Sequence, residues 1–281
     1  MRSDVSVIIP CFRCADTIAR AVSSVIQQTS APEEIILIDD FSDDKGITLN
    51  ALKALQRLYK STNFQIISLS SNLGPGGARN AGWMKARGTY LAFLDSDDSW
   101  HPQKLEIQIT WMQAHPDVTL TATRSAYRVE HDPLPQISTF PPVVRNISGI
   151  QLLVKNIIPT RTVVLRRDIG ARFDPLKRYA EDYLLWLRIV FSGMPAHLIC
   201  LPLAYSYRAD FASGGLTSNL WKMQIGVMHT YWKIASEGHI SKFSSVFFIG
   251  FSILKFVRRL MVSMLVIIKS FIFGKKIHAR S

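Results

Sequence analysis

At 281 residues and 48% hydrophobic composition, the chain can bury a full core and fits one large domain, or one domain with an appendage. Its net charge of +12 is uneven: the last 60 residues hold ten Lys or Arg against Glu237 alone, so +9 sits there and +3 in the first 221. A basic excess confined to an apolar terminal segment argues against nucleic acid as a partner and for an anionic membrane surface. Cys11, Cys14 and Cys200 make no even disulfide framework, and Cys11-x-x-Cys14 lacks the second pair a zinc site needs. Structural thiols in a reducing compartment are expected. The amino terminus has no secretory pattern, which puts the chemistry in the cytoplasm.

Val5 to Ile9 is a β-branched run closed by Pro10, and after Asp16 the residues Ile18, Ala21, Val22, Val25 and Ile26 share one helical face. Ile35 to Ile38 predicts a second strand running into Asp39-Asp40. Leu52, Leu55 and Leu58 then keep helical spacing up to a third strand, Phe64 to Leu69. Gly74-Pro75-Gly76-Gly77 opens a helix carrying Arg79, Asn80 and Lys85, and Tyr90 to Leu94 is the fourth strand. Such alternation implies an α/β fold with a mostly parallel sheet and right-handed crossovers. A helix over Leu105, Ile109 and Met112 ends before Pro116. Beyond it the pattern predicts strands near Val118 to Thr123 and Thr162 to Leu165, a Pro-rich loop from about Asp132 to Val144, and a helix from Glu181 to Phe191. Strands at His197 to Leu201 and Tyr205 to Tyr207 follow.

The fourth strand delivers Asp95-Ser96-Asp97-Asp98 at its carboxyl end, where open α/β sheets bind ligands. Clustered carboxylates repel one another unless a hard cation sits among them, typically Mg²⁺ or Mn²⁺ bridging to substrate phosphates. Capping of the next helix is the alternative, though it needs only one such residue. Strand ends one, two and four bring Pro10, Asp39, Asp40 and Asp95 to Asp98 around one cleft that fits a nucleotide. Asp39 and Asp40 can accept hydrogen bonds from a base or ribose, or serve only the turn with Ser42, Asp43 and Asp44. Arg79 can offer its fork to phosphate or base, or form an ordinary ion pair. Glu181-Asp182 can complement a helix dipole, or take a proton from an attacking hydroxyl. Trp186 can face a sugar ring or belong to the core.

Val5-Ser6-Val7-Ile8-Ile9-Pro10, Ile38-Asp39-Asp40-Phe41-Ser42-x-Asp44, Asn72-x-Gly74-x-x-x-Ala78-Arg79-Asn80-x-Gly82, Phe93-Leu94-Asp95-Ser96-Asp97-Asp98, and Glu181-Asp182 with Trp186 together resemble the family-two inverting glycosyltransferases of bacterial surface-polysaccharide assembly, which have the Rossmann-like GT-A fold. The resemblance spans about residues 4 to 210. It implies a nucleotide-sugar donor, a UDP-sugar first among them, and a lipid-linked or saccharide acceptor. Donor binding falls to Pro10, Phe12, Asp39, Asp40, Arg79, Asp95 and Ser96. Asp97 or Asp98 holds the metal and Asp182 is the catalytic base. Glu181, Trp186, Arg208 and Thr217 are acceptor or lid candidates, the last two through a segment similar to the family's mobile cover. Phe12 and Arg13 stand where the family has Tyr and Asn, and Phe41 replaces a common Gly, so the base pocket is expected to differ. A Gln-x-x-Arg-Trp pattern is missing, so a single sugar is expected to be transferred.

The expected organisation is a catalytic domain over 1–220, with a nucleotide-binding half (1–115) and an acceptor-side half (116–220), and a membrane-associating helical tail over 221–281. In that tail Phe243 to Leu254 and Leu260 to Phe273 are apolar runs separated by Lys255, Arg258 and Arg259. Neither run reaches the roughly 20 residues a spanning helix needs, and a continuous span would carry three cations costing about 3 kcal/mol each. A basic amphipathic hairpin lying in the membrane interface is expected, peripheral or monotopic at the cytoplasmic face of the cell membrane. Packing of the helices on the catalytic domain, or into a homo-oligomer, is the alternative. Two other functions compete. A dinucleotide-dependent oxidoreductase needs Gly-x-Gly after the first strand, where this chain has Pro10-Cys11-Phe12-Arg13-Cys14. A non-catalytic membrane-associated scaffold on the same fold would tolerate loss of the acids that are kept here.

Overall fold

The computed structural model describes residues 2–129, 132–137, 141–207 and 220–274, with side chains through 262. Arg208, Thr217 and the Gly214–Leu216 segment lie outside the described residues.

Strands β1 (Arg2–Cys11), β2 (Ala31–Asp39), β3 (Phe64–Ser68) and β4 (Tyr90–Phe93) pair in parallel in the order β3-β2-β1-β4. Strand alternation sorts their side chains. Val7, Ile9, Ile35 and Leu37 pack with helices α1 (Ile18–Ile26), α2 (Ile47–Leu58) and α4 (Lys104–Ala114). Ile8, Ile36 and Ile38 face α3 (Gly74–Lys85) and α6 (Glu181–Phe191) on the other side. Gly82 sets the approach of α3, because a Cβ there would lie 2.7 Å from Ile8 Cγ2.

The regular alternation stops after β4, and the nine-stranded sheet becomes mixed. β8 (Val164–Arg166) joins β4 antiparallel, and β6 (Leu120–Tyr127) joins β8 antiparallel. β9 (Ala196–Ser206) runs parallel to β6 and takes β5 (Asp98–Trp100) and β7 (Val144–Asn146) antiparallel. The two strands expected at His197 and Tyr205 are therefore one. Pro202 is accommodated where the β6–β9 register shifts at Arg124, a bulge being one of the few places a sheet admits proline. The short helix α5 (Gly149–Val154), opened by a Ser148–Gln151 capping box, is an element the sequence expectations did not include.

The tail forms two helices, α7 (Leu220–Ser236) and α8 (Lys242–Gly274). The hairpin turns at 237–241, and Lys255, Arg258 and Arg259, within little more than one turn and on one side, lie inside α8. The tail docks on α5, α6 and the loop before α6. Tyr231 Oη donates to Leu153 O at 2.8 Å and meets Tyr183, Arg188 pairs with Glu237, and Lys233 pairs with Asp174. Gly226 allows the close approach, since a Cβ there would meet Tyr179 O at 2.7 Å. Among the described residues no helix is long and apolar enough to cross a membrane.

Lys104 is fully buried, its Nζ 4.1 Å from the Trp100 ring centre and without a hydrogen-bond partner among the described residues. Burial drives this amine well below its ordinary pKa, so as pH falls below about 10.4 the unfolded state takes up its proton before the folded state does. Its contribution to stability therefore falls as pH drops from there. Lys104→Met is expected to stabilise the fold by about 1–3 kcal/mol, the cost of an orphaned buried polar group. The gain in thermal midpoint should be larger at pH 8 than at pH 10.

Candidate functional site

The carboxyl ends of β1, β2 and β4, the 3-10 turn Thr160–Thr162, the start of α6 and the end of β9 enclose a cleft of about 860 Å³. Pro10, Phe12, Asp40, Arg79, Asp95, Ser96, Asp97, Asp98, Glu181 and Asp182 all line it. Asp39 does not; its Oδ1 accepts from Ser42 N at 3.2 Å, the turn chemistry expected as the alternative. The loop after β1 is tied to the loop after β2. Arg13 pairs with Asp43 at 2.5 Å, Arg13 N donates to Ser42 Oγ, and both Arg13 and Phe41 take positive φ. Asp40 is almost fully buried, and its Oδ1 accepts from Leu73 N at 2.7 Å. Burial raises its pKa against the opposing amides of Leu73 and Gly74.

Arg79 is the centre of the arrangement. Buried to 4% exposure, it donates from Nη2 to Asp95 Oδ1 at 2.6 Å and from Nη1 to Glu181 Oε1 at 2.9 Å. Burial alone would lower its pKa, but the charges of Asp95, Glu181 and Asp182 outweigh that and hold it above the ordinary value. Two of its nitrogens are committed to carboxylates, which it positions, and it also lines the cleft. The Glu181 carboxylate is held by Arg79, and burial with the charge of Asp182 pushes it up to about 7. Trp186 is fully buried and packs edge-on against Phe173 at 6.0 Å, so it belongs to the core and faces no sugar.

Asp182 remains half-exposed at the start of α6, its Oδ2 accepting from Thr160 Oγ1 at 2.8 Å. Ala180, two residues earlier, takes φ 54, a left-handed turn that L-residues adopt at a cost. That turn lets Glu181 point into the protein and Asp182 into the cleft.

Asp98 pairs with Arg161 at 3.2 Å and is nearly buried. Burial pushes it up to about 7 against Arg161, with Asp95 and Asp97 adding repulsion. As a metal ligand it is thus the weaker of the two expected, because a guanidinium already holds its carboxylate. Among the described residues no group of three or more His, Cys, Asp or Glu closes round an ion. Asp97, with the partly exposed Asp95, still fits a Mg²⁺-type cation, which takes one or two carboxylates and completes its shell from water and substrate phosphates. The reading from sequence missed Thr160, Arg161, Asn156, Arg178, Met223 and Arg259 on the cleft wall. Only Arg161, a cation entering the apolar run Val163–Leu165, carried any signal.

Residues 6–174 match the family profile described as "Glycosyl transferase family 2". The chain belongs to that family. It is 32% identical over 240 residues to UDP-Glc:alpha-D-GlcNAc-diphosphoundecaprenol beta-1,3-glucosyltransferase WfaP of Escherichia coli, covering 84% of this chain and 88% of that one. It is 30% identical over 219 residues to a putative teichuronic acid biosynthesis glycosyltransferase, TuaG, of Bacillus subtilis, covering 78% and 83%. The fold is shared with S. aureus TarS 1-349 in complex with UDP-GlcNAc (TM-score 0.64, 19% identity, 82% of this chain and 66% of that one). It is also shared with the mannosyltransferase PcManGT from Pyrobaculum calidifontis in complex with GDP-Man and Mn²⁺ (0.63, 18%, 84% and 65%). The glycosyltransferase therefore has the GT-A architecture.

Arg79→Met leaves the Glu181 carboxylate buried without its partner and is expected to destabilise the fold by about 3 kcal/mol. Adding Glu181→Gln should recover part of that loss in chemical denaturation, because the stranded charge is gone.

Proposed function

We propose that the protein is an inverting, metal-dependent glycosyltransferase that moves one sugar from a nucleotide-sugar donor, a UDP-sugar first, to a lipid-linked saccharide in surface-polysaccharide assembly. The observation that carries this reading is the position of Asp182 on the same cleft as the Asp95–Asp97 strand end. The donor's nucleotide would lie along the ends of β1 and β2, with Pro10, Phe12 and Asp40 near the base and Asp95 and Ser96 near the ribose. Asp97, with Asp95, would hold a divalent cation, which when bound offsets the negative charge that grows on the departing diphosphate.

On the far wall Asp182 takes the proton of the acceptor hydroxyl as that oxygen forms its bond to the anomeric carbon. The bond from that carbon to the diphosphate oxygen breaks, and the nucleoside diphosphate leaves from the opposite face. One displacement inverts the centre once. The hydrogen bond from Thr160 orients the carboxylate, and Glu181, locked to Arg79, fixes the helix start that presents it. The sugar chemistry of the E. coli and B. subtilis relatives supports a lipid-linked or polymeric acceptor. The exposed apolar side chains of the tail, with Lys242, Lys255 and Arg258 among them, support attachment to an anionic membrane surface.

Asp182→Asn should lower kcat by about 10²–10⁴-fold while the donor's dissociation constant, measured by calorimetry, changes by less than about threefold. A scaffold without activity would show no transfer in either form. Chelation of divalent cations should stop transfer, and Mg²⁺ or Mn²⁺ should restore it; transfer that continues in excess chelator rules the cation out.

A further inference from the structure

Two residues of the tail, Met223 of α7 and Arg259 of α8, belong to the wall of the catalytic cleft. Among the described side chains of α8, Ser245, Ser252 and Phe256 are buried, and at a helical period they share one face. Arg259, seven residues after Ser252, continues that face past the edge of the protein body into the cleft. Lys255, one turn earlier, donates to Val154 O at 2.6 Å, two residues before Asn156 of the cleft wall. Trp221 packs edge-on against Phe256 at 5.0 Å, which locks the two helices together beside Arg259. The cation therefore joins the cleft wall from the side where α8 packs beside α5 and Asn156.

The opposite face of the same helix is apolar and open. Phe243, Val246, Phe247, Leu254, Val257 and Met261 recur at helical spacing and are all exposed, Phe243 to 83% and Leu254 to 70%. Trp221, Ile225 and Trp232 extend the exposed apolar surface along α7. A single helix thus turns a guanidinium toward the reacting centre and an apolar stripe toward its surroundings. An amphiphile with a hydrocarbon chain, a diphosphate and a sugar, in that order, has the matching sequence of groups.

We infer that Arg259 binds the diphosphate of a lipid-linked acceptor, so that the tail supplies part of the acceptor site as well as the membrane contact. This rests on the lipid-linked reading above. A guanidinium is suited to the task because its planar fork gives paired, charge-assisted hydrogen bonds to phosphate oxygens. Held there, the diphosphate would set how far the sugar hydroxyl reaches toward Asp182. Specificity for the diphosphate would then be separable from specificity for the sugar.

The full-length protein is assayed in solution, without a bilayer, with two short-chain probes: an alkyl diphosphate-linked N-acetylhexosamine, and the same alkyl glycoside lacking the diphosphate. The wild type should favour the diphosphate probe in kcat/KM by about tenfold or more. Arg259→Ala should raise the KM for that probe and bring the preference to within about twofold, and Arg259→Lys, which keeps the charge but not the fork, should lie between. Thermal midpoints check that each variant is folded, and Arg259→Gln serves if Arg259→Ala is not. A preference that survives in Arg259→Ala overturns the inference while leaving the lipid-linked reading intact. If Arg259→Ala instead loses sedimentation with anionic vesicles and keeps the preference, Arg259 reads lipid headgroups and the inference is wrong. A wild type that uses both probes equally, or neither, removes the lipid-linked reading and the inference together.

Discussion

The geometry of the cleft depends on one guanidinium. Arg79, on a helix that follows β3, joins the end of β4 through Asp95 to the start of α6 through Glu181, a residue 102 positions later in the chain. Desolvating an arginine and two carboxylates is costly, and such a group persists only when each charge meets its partner with good geometry. The result is a link between the end of β4 and the start of α6, the helix that carries Asp182. The left-handed turn at Ala180 is tolerated because Glu181 is anchored on one side and Asp182 is hydrogen-bonded to Thr160 on the other. Strain of that kind holds only where its surroundings over-determine it.

The sheet explains how two halves of different character share one edge. The first four strands are parallel, so their carboxyl ends, with Asp40 and Asp95, open on the same side. The antiparallel entry of β8 and the return of β9 then bring the 3-10 turn with Thr160 and Arg161, and the end of β9 with Ser206, to that same rim. Arg161 closes the circuit by pairing with Asp98, the first residue of β5. The acidic run at the end of β4 is thereby divided: Asp95 and Asp98 each pair with an arginine, and Asp97 lines the cleft with them.

Much of the fold over residues 1–115 was legible in the sequence, because β-branched runs followed by acids mark strand ends, and helices between them leave a 3.6-residue pattern. The helix Glu181–Phe191 was legible to its boundaries. What the sequence did not disclose was partnership. Nothing in the residue type of Arg79 shows that it is buried, and nothing in the spacing shows that Glu181 lies beside it. Trp186 looked available to a sugar because α6 opens beside the site, but the helix is covered on nearly all sides and the indole fills the core against Phe173. Pro202 read as a strand boundary, and only the register shift opposite it makes one long strand possible. In the tail, Lys255, Arg258 and Arg259 interrupt the hydropathy on one helical side, and α8 runs on through them, with Lys255 bonded to Val154 O and Arg259 on the cleft wall.

The central claim is that one carboxylate, Asp182, acts from the wall opposite the donor's diphosphate in a single displacement. The most direct measurement is the proton NMR spectrum of the disaccharide linkage formed from an α-linked nucleotide sugar, read at the new anomeric centre. The account requires the β-anomer, with its large axial–axial coupling to the neighbouring proton in a gluco-configured sugar. An α-linkage would mean that configuration is retained, and would contradict the role of Asp182 as the sole base facing the leaving group from across the cleft.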